Sequence, residues 1–375
     1  MAFRVFFALF LCLVLALRSN ACENGRIHPK VFIITMFDLE AQVWFNIPEF
    51  TLDRKLVFPG LPPKYPSVNC TNDGNICLVT TGQAEVNAAS TISAVVYSGN
   101  FNLTSTYFLV AGVAGINPKL ATIGAVTFAR YAVQVGVQFE VDARQIPSNF
   151  STGYFAQGST GPGQPPSVDW WYGTEVFELN DALRQAAFNL TMPAILNDSV
   201  TAQAARAPYS TASVFAPGAT DPKIVLCDTA TSDTYWSGDL LGEMVENTTK
   251  VLTNGNAVYC TTQQEDNATL NVLFRATLAG LLDFSRVIVM RAGSDFDRPY
   301  ATQTVIDNLL GPTPGFAPSL MNLYLVGIKV VEGIISQWDG RFAAGVKPMN
   351  YIGDVFGSLV GDIQPDFGPT ACSNQ

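Results

Sequence analysis

Short apolar runs alternate with longer amphipathic stretches along most of the chain. The apolar runs are rich in β-branched residues and predict strands at residues 31–36, 76–80, 107–115, 123–129, 223–227, 256–260 and 286–290. Patterns of helical period predict helices at residues 84–97, 175–190, 266–282 and 319–338. Strands that are apolar throughout and separated by helices are typical of a sheet covered on both faces, so we predict an α/β fold.

Three stretches rich in proline and glycine interrupt this pattern, at residues 58–66, 158–167 and 311–318. None of them separates regions of different composition, and no internal repeat is visible. We therefore interpret them as surface loops of a single domain.

The first 21 residues follow a different pattern. Arg4 precedes an apolar run over residues 5–17, and small residues follow at Ser19 and Ala21. This pattern predicts a secretory signal peptide over residues 1–21 and one domain over residues 22–375, with a retained signal anchor as the alternative. We expect no later apolar segment of about 20 residues, the length of a membrane span.

Two further features agree with a secreted or cell-surface protein. Seven asparagines begin glycosylation sequons and are therefore expected at the surface: Asn69, Asn102, Asn149, Asn189, Asn197, Asn247 and Asn267. Loss of Cys12 with the signal peptide would leave an even set of cysteines, typical of disulfide-bonded proteins: Cys22, Cys70, Cys77, Cys227, Cys260 and Cys372. We favour a Cys70–Cys77 disulfide across a short turn, with Cys227–Cys260 and Cys22–Cys372 as the remaining pairs. Reactive or metal-binding cysteines are the alternative.

The charge balance excludes some classes of function. The chain has 21 basic and 31 acidic residues, and no basic cluster is interleaved with aromatic side chains. Binding to a nucleic-acid polymer is therefore not expected. The single histidine, His28, leaves no second histidine for a triad or a histidine-rich zinc site, so we predict no metal and expect carboxylates as acid and base.

Polar side chains collect after several predicted strands, where ligands bind in open α/β sheets. Charged and aromatic residues follow four strands: Asp38 and Glu40; Asp233, Tyr235 and Trp236; Glu265 and Asp266; Ser294, Asp295, Asp297 and Arg298. Small residues that would let a ligand approach the backbone follow two others: Gly82, Ala111, Gly112, Ala114 and Gly115. Helix capping, compensation of a helix dipole and core packing are alternatives for each group taken singly.

In chain order these segments resemble the nucleoside phosphorylase superfamily, in particular its methylthioadenosine/S-adenosylhomocysteine nucleosidases. The stretches concerned are "TGQAEVNAA", "AGVAGINPKLATIGAV", "SDTYWSG" and "VIVMRAGSD". Residues 29–370 more closely resemble the purine nucleoside permeases of fungi and bacteria, which have near-identical counterparts of "TSDTYWSG", "QQEDNATL" and "RAGSDFDRP". The resemblance implies a three-layer αβα sandwich around a mixed, partly barrel-like sheet. It also implies purine nucleoside substrates, N-glycosidic cleavage through an oxocarbenium-like transition state, and no cofactor.

The resemblance also implies roles for seven residues. Asp295 would protonate N7 of the purine, and Glu40 would activate the attacking water. Five others would bind the nucleoside: Ser294 and Tyr235 at the base, Glu265 at the ribose, and Ala114 and Gly115 along both. Asp297 and Arg298 have no counterpart role, and we expect them to shape the loop or cap the next helix.

Departures from the superfamily leave the chemistry open. Phosphorylases carry phosphate-binding arginines after the first strand and just before the Gly-Xaa-Ala-Gly turn, where this chain has "MFDLEAQ" and "YFLVAGVAG". Hydrolysis is therefore favoured over phosphorolysis. Val113 replaces a hydroxyl-bearing residue common in nucleosidases, so nucleoside binding for uptake, without cleavage, is the alternative, and an inactive glycoprotein is a third. Uptake would need a separate membrane transporter, and relatives suggest a homo-oligomer.

Overall fold

The structure, a computed structural model, describes residues 25–359 and 361–369. The strands in these residues are β1 (Val31–Thr35), β2 (Arg54–Leu56), β3 (Val68–Cys70), β4 (Ile76–Thr80), β5 (Tyr107–Ile116), β6 (Val126–Phe128), β7 (Tyr131–Gln134), β8 (Gln138–Glu140), β9 (Tyr154–Ala156), β10 (Val176–Glu178), β11 (Ile224–Leu226), β12 (Asp228–Thr231), β13 (Tyr259–Gln263) and β14 (Val287–Phe296). The α-helices are α1 (Asp38–Gln42), α2 (Glu85–Tyr97), α3 (Asp181–Thr191), α4 (Val200–Arg206), α5 (Asp239–Leu252), α6 (Asp266–Leu278), α7 (Val305–Leu310) and α8 (Phe316–Ser336).

Twelve of these strands form one mixed sheet that branches at β5. Along its first half β5 pairs in parallel with β1, and at its last two residues it pairs antiparallel with β13. Its other edge pairs in parallel with β14 over almost the whole length of both strands. From β5 the sheet continues through β1 to β4, β3 and β2, through β13 to β12, β7 and β10, and through β14 to β6 and β11. The strands β8 and β9 form a separate antiparallel pair.

The alternation of side chains along β1 shows why helices cover both faces of the sheet. Phe32 and Ile34 pack in one apolar core with residues of α2 and α6, whereas Val31 and Ile33 pack in another with residues of α3 and α8. Each fully buried side chain of this kind contributes roughly 1.5–3 kcal/mol to folding. The predicted α/β fold, an αβα sandwich around a mixed sheet, is confirmed.

Most predicted elements are confirmed within a few residues, and two are wrong in part. Residues 175–190 do not form one helix, because Val176–Glu178 pair with β7 as strand β10 and Asn180 caps helix α3, its side chain accepting from the Leu183 N–H. The last strand continues six residues beyond 290, because its polar end still pairs with β5. Pairing between distant segments decided both outcomes, and the local pattern does not contain that information.

The expectation that no later apolar segment of about 20 residues exists is wrong. Helix α8 has 21 residues and is long and apolar enough, by length and composition, to cross a membrane. In the described structure 56% of its most apolar window is buried within the protein. Leu323, Val326 and Val330 on this helix belong to the core beneath the sheet, so the apolar surface of α8 serves the packing of the fold.

The structure tests several features of the secretory prediction. Disulfides join Cys70 to Cys77 and Cys227 to Cys260, as predicted, and indicate an oxidising compartment. The predicted signal peptide, Cys22 and Cys372 lie outside the described residues. Six of the sequon asparagines are exposed or half-exposed. The surface prediction is wrong for Asn267, which is 1% exposed because it lies on α6 and its side-chain amide donates to the Ala132 and Thr174 carbonyls.

Candidate active site

One cavity of about 260 Å³ lies where the carboxyl ends of several strands meet. Because β13 runs antiparallel to β5 at their last residues, the ends of both halves of the sheet converge there. All seven residues to which the resemblance assigns a role line this cavity: Glu40, Ala114, Gly115, Tyr235, Glu265, Ser294 and Asp295. Its volume is close to the lower end of small-molecule sites, roughly 300–1,000 Å³.

A bulge in β14 presents Asp295 to the cavity. Gly293 pairs with Ala114 and Asp295 with Gly115, so Ser294 is an extra residue on the β14 side of the ladder. The Ser294 hydroxyl donates to one carboxyl oxygen of Asp295 at 2.5 Å, and the Tyr235 hydroxyl donates to the other at 2.9 Å. Burial raises the pKa of Asp295 above its ordinary value, and the two hydroxyl donors partly oppose that rise.

Tyr235 and Trp236 stand at the same end of the cavity on the loop after β12. The Tyr235 side chain is 60% exposed and is tied to the site through its bond to Asp295. Trp236 is half-buried, and its indole N–H is buried without a hydrogen-bond partner among the described residues. The exposed Tyr235 side chain therefore offers an aromatic surface to a planar ligand, and the Trp236 indole N–H offers a hydrogen-bond donor.

Glu40 also lines the cavity and lies in the short helix α1. It is 1% exposed, so it does not serve as a surface carboxylate at a helix end. Its two carboxyl oxygens each accept a backbone N–H at 2.7 Å, one from Met36 and one from Val113. Burial raises the pKa of Glu40 to about 8, with Arg291 lowering it and Glu265 raising it.

Glu265 immediately precedes α6, yet its side chain does not cap that helix. The Gln263 side-chain oxygen performs the capping by accepting the N–H groups of Glu265 and Asp266, at 2.7 and 2.8 Å. The Glu265 carboxylate accepts instead from the Ala84 N–H at 3.1 Å and from Arg291 at 3.3 Å. Burial raises its pKa, and the attraction of Arg291 opposes that rise.

Arg291 is a central residue of the site that sequence reasoning missed. Its guanidinium is 1% exposed and donates to Asp266 at 2.6 Å, to Glu265 and to the Val113 carbonyl. A Cβ atom at Gly112 would lie 2.6 Å from Arg291 Nη1 and 2.8 Å from Glu40 Oε1, so only glycine leaves room for this cluster. The available signal was a cation at the end of an apolar run, because a buried arginine requires carboxylate partners.

Asp297 and Arg298 form a second buried ion pair next to the first. Asp297 lines the cavity and accepts from the Tyr259 hydroxyl at 2.8 Å and from Arg298 at 2.8 and 2.9 Å. Arg298 also meets Glu246 at 3.0 Å. The expected helix cap is wrong, because the next helix begins only at Val305. These residues shape the end of β14 through ion pairing.

The cavity offers little to a metal or a free anion. Over residues 25–359 and 361–369, no group of three or more His, Cys, Asp and Glu side chains is placed to hold a metal ion. Among the described residues that line the cavity, Arg291 is the only cation, and two carboxylates already engage it. The arrangement therefore favours a neutral ligand over an anion such as phosphate.

Comparison with known proteins gives matches over most of the chain. A model of the family described as purine nucleoside permease matches residues 28–347. A purine nucleoside permease of Candida albicans is 41% identical over 347 residues, which cover 91% of this chain and 83% of that protein. A probable purine nucleoside permease of Schizosaccharomyces pombe is 42% identical over 320 residues, 83% of this chain and 90% of that protein.

Solved structures are similar only distantly. The 5′-methylthioadenosine/S-adenosylhomocysteine nucleosidase of Neisseria meningitidis, in complex with methylthio-immucillin-A, is 12% identical with a TM-score of 0.47, covering 82% of this chain and 99% of that one. Futalosine hydrolase of Helicobacter pylori is 13% identical with a TM-score of 0.47, covering 82% and 98%.

Proposed function

The chain belongs to the purine nucleoside permease family, and from that premise we propose that it binds a purine nucleoside in the cavity and cleaves the N-glycosidic bond with water. The observation that carries the proposal is that Asp295 and Glu40 line one cavity, Glu40 buried and Asp295 half-buried, each with a raised pKa. Bond cleavage to a purine needs an acid for the base and a base for the water, and this pair supplies both.

Asp295 acts as the proton donor. A carboxyl group can donate near neutral pH only if its pKa is raised, and burial has that effect here. The donated proton goes to purine N7, so the base leaves as a neutral molecule. Ser294 and Tyr235 hold the carboxyl group in place through both oxygens and stabilise the carboxylate that remains after proton transfer.

Glu40 acts as the proton acceptor for water. Each of its oxygens accepts one backbone N–H and keeps a second lone pair, so the group is fixed in position and can still take a proton. A pKa near 8 makes it a stronger base than an ordinary carboxylate. Glu265, held by Ala84 and Arg291, supplies acceptor oxygens for ribose hydroxyl groups.

The engaged state of Arg291 supports water rather than phosphate as the nucleophile. A phosphate that entered the cavity would find no free cation among the described lining residues, because Glu265 and Asp266 already engage Arg291. Removing an anion from water without a cation to pair with it is unfavourable.

Capture of purine nucleosides without cleavage is the second candidate, and Val113 favours it. Val113 lines the cavity beside Glu40 and has no hydroxyl group to help hold a water molecule. The relatives are named permeases, which fits a role in uptake. A partner transporter and a homo-oligomer stay predictions.

We also place this activity outside the cytoplasm, since the two disulfides fit the secretory route. Expression of the full chain in its secreting host should yield protein in the medium or on the cell surface. Retention in the cytoplasm with reduced cysteines would contradict this location.

Base release from adenosine, inosine and guanosine, measured with and without phosphate, tests the proposed reaction. Release without phosphate is expected, release only with phosphate would contradict the assigned nucleophile, and binding without release would establish capture. Asp295→Asn should lower kcat by about 10²–10⁴-fold while ligand binding persists. Asp233→Asn is the matched control, because Asp233 lies on the same loop as Tyr235, is exposed, and does not line the cavity.

A further inference from the structure

A second cavity of about 150 Å³ adjoins the first on the far side of Asp295. The two cavities share Ser294, Asp295 and Thr313 as lining residues, so the carboxyl group of Asp295 lies at their boundary. None of the seven residues assigned to the nucleoside lines the second cavity except Ser294 and Asp295. The described structure therefore has unfilled space next to Asp295, outside the cavity proposed to bind the nucleoside.

The second cavity has mostly apolar walls. Helix α4 contributes Ala204 and Ala205, the end of β14 contributes Phe296, and the segment after β14 contributes Tyr300 and Pro314. The small side chains of the two alanines leave the space open. The Gln303 side-chain oxygen is buried in this lining and has no hydrogen-bond partner among the described residues.

The positions of the purine atoms determine which part of a bound nucleoside would reach the second cavity. N7 and the exocyclic group at C6 lie on the same edge of the ring system. If Asp295 donates to N7, the exocyclic atom attached to C6 lies beside Asp295. A substituent on that exocyclic atom would then extend from the first cavity towards the second. A substituted amino group keeps one N–H, which the unpaired oxygen of Gln303 could accept.

Resting on the proposed function, we propose that the second cavity is a subsite for an apolar substituent on the C6 amino group of the purine. The site then takes N6-substituted adenine nucleosides as well as the unsubstituted ones. In another protein an engineered apolar cavity of about 150 Å³ holds benzene, so a benzyl group is a fitting probe.

Dissociation constants of adenosine and N6-benzyladenosine test the proposal; they are measured by calorimetry on the full chain carrying Asp295→Asn, which is expected to bind without rapid cleavage. N6-benzyladenosine should bind at least as tightly as adenosine. If adenosine binds and N6-benzyladenosine binds at least about tenfold more weakly, the subsite is refuted and the proposed function stands. If neither binds, the proposed function itself has failed, and the subsite fails with it.

Filling the cavity separates the subsite from a general effect on the protein. Ala205→Leu should weaken N6-benzyladenosine relative to adenosine by at least about tenfold, because the added methyl groups occupy the space for the ring. Ala204→Phe, at an exposed position on the rim, gives a second variant in case Ala205→Leu does not fold. Ala207→Leu is the matched control, since Ala207 is exposed and lines neither cavity.

A probe with the ring at the other end of the nucleoside completes the test. In 5′-benzylthioadenosine the same ring is attached to the ribose, so Ala205→Leu should leave its affinity relative to adenosine unchanged. Selective loss of 5′-benzylthioadenosine binding in that variant would place the second cavity at the ribose and overturn the proposal.

Discussion

Replacement of Arg291 by methionine would show how strongly the ion cluster under the cavity holds the site together. Methionine is similar in length but leaves the carboxylates of Asp266 and Glu265 without their cation. These side chains are 0% and 5% exposed, and Arg291 is 1% exposed. Removing one member of such a buried pair costs about 3–5 kcal/mol, because the remaining charge is desolvated and uncompensated. That loss is a large part of the roughly 5–15 kcal/mol that stabilises an ordinary domain.

Urea unfolding followed by tryptophan fluorescence measures this loss, and its pH dependence identifies the cause. Arg291 lowers the pKa values of Glu40 and Glu265, so its removal raises both further above the ordinary value of 4.5. A folded state with raised carboxyl pKa values binds more protons than the unfolded state. Stability therefore falls as pH rises from the unfolded pKa through the folded one. Because the variant keeps these protons to higher pH, its deficit should grow above the folded pKa of the intact protein, which is about 8 for Glu40.

Two further variants make the result decisive. Adding Asp266→Asn to Arg291→Met removes one uncompensated charge and should restore part of the lost stability. Arg144→Met is the control, because the Arg144 side chain is 88% exposed and its pairing with Asp142 is expected to contribute little stability. A deficit for Arg291→Met that is absent, or equal at pH 7 and pH 9, would refute the electrostatic account.

Three other perturbations test the proposed chemistry and the disulfide. The value of kcat/KM should rise as pH rises through about 8, where Glu40 loses its proton. Glu40→Gln should abolish this pH dependence and lower the rate by about 10²–10⁴-fold. A pH profile unchanged by the substitution would contradict the role of Glu40 as the base. Tyr235→Phe removes a hydroxyl donor that lowers the pKa of Asp295, so the alkaline limb should move to higher pH, and an unmoved limb would argue against Asp295 as the acid. The double variant Cys227→Ala/Cys260→Ala should lose about 2–4 kcal/mol in denaturant unfolding, since the disulfide joins residues 33 apart, and unchanged stability would show that the bond does not constrain the fold.

The sequence predicts those parts of the fold in which one short segment carries the whole signal. Strands β1 and β4 are fully apolar runs with clear ends, and their bounds follow from the pattern. Strand β10 has three residues and leads directly into a helix, so its pairing with β7 is invisible locally. The sequon at Asn267 has the same limitation, because the motif does not show that α6 buries its first turn.

The residues of the candidate site also differ in how far the sequence predicts them. A family resemblance finds Glu40, Glu265 and Asp295, since each lies in a recognisable stretch after a strand. Arg291 falls within an apolar strand, and its partners Glu265 and Asp266 are 26 and 25 residues earlier. Only the antiparallel meeting of β13 with β5 brings these segments together, and no local pattern encodes that contact.

The charges of the cavity suit the proposed reaction, in which the transition state is more positive than the substrate. Glu40, Glu265, Asp295 and Asp297 line it, whereas Arg291 is the only cation among its described lining residues. Burial raises the pKa of each of these carboxyl groups, and Glu265 raises that of Glu40 further. Cleavage of an N-glycosidic bond develops positive charge on the ribose, and carboxylates fixed beside it stabilise that charge without reorganising. An excess of carboxyl groups that is unfavourable to a phosphate is thus favourable to an oxocarbenium-like ribose, and both consequences support the proposed hydrolysis.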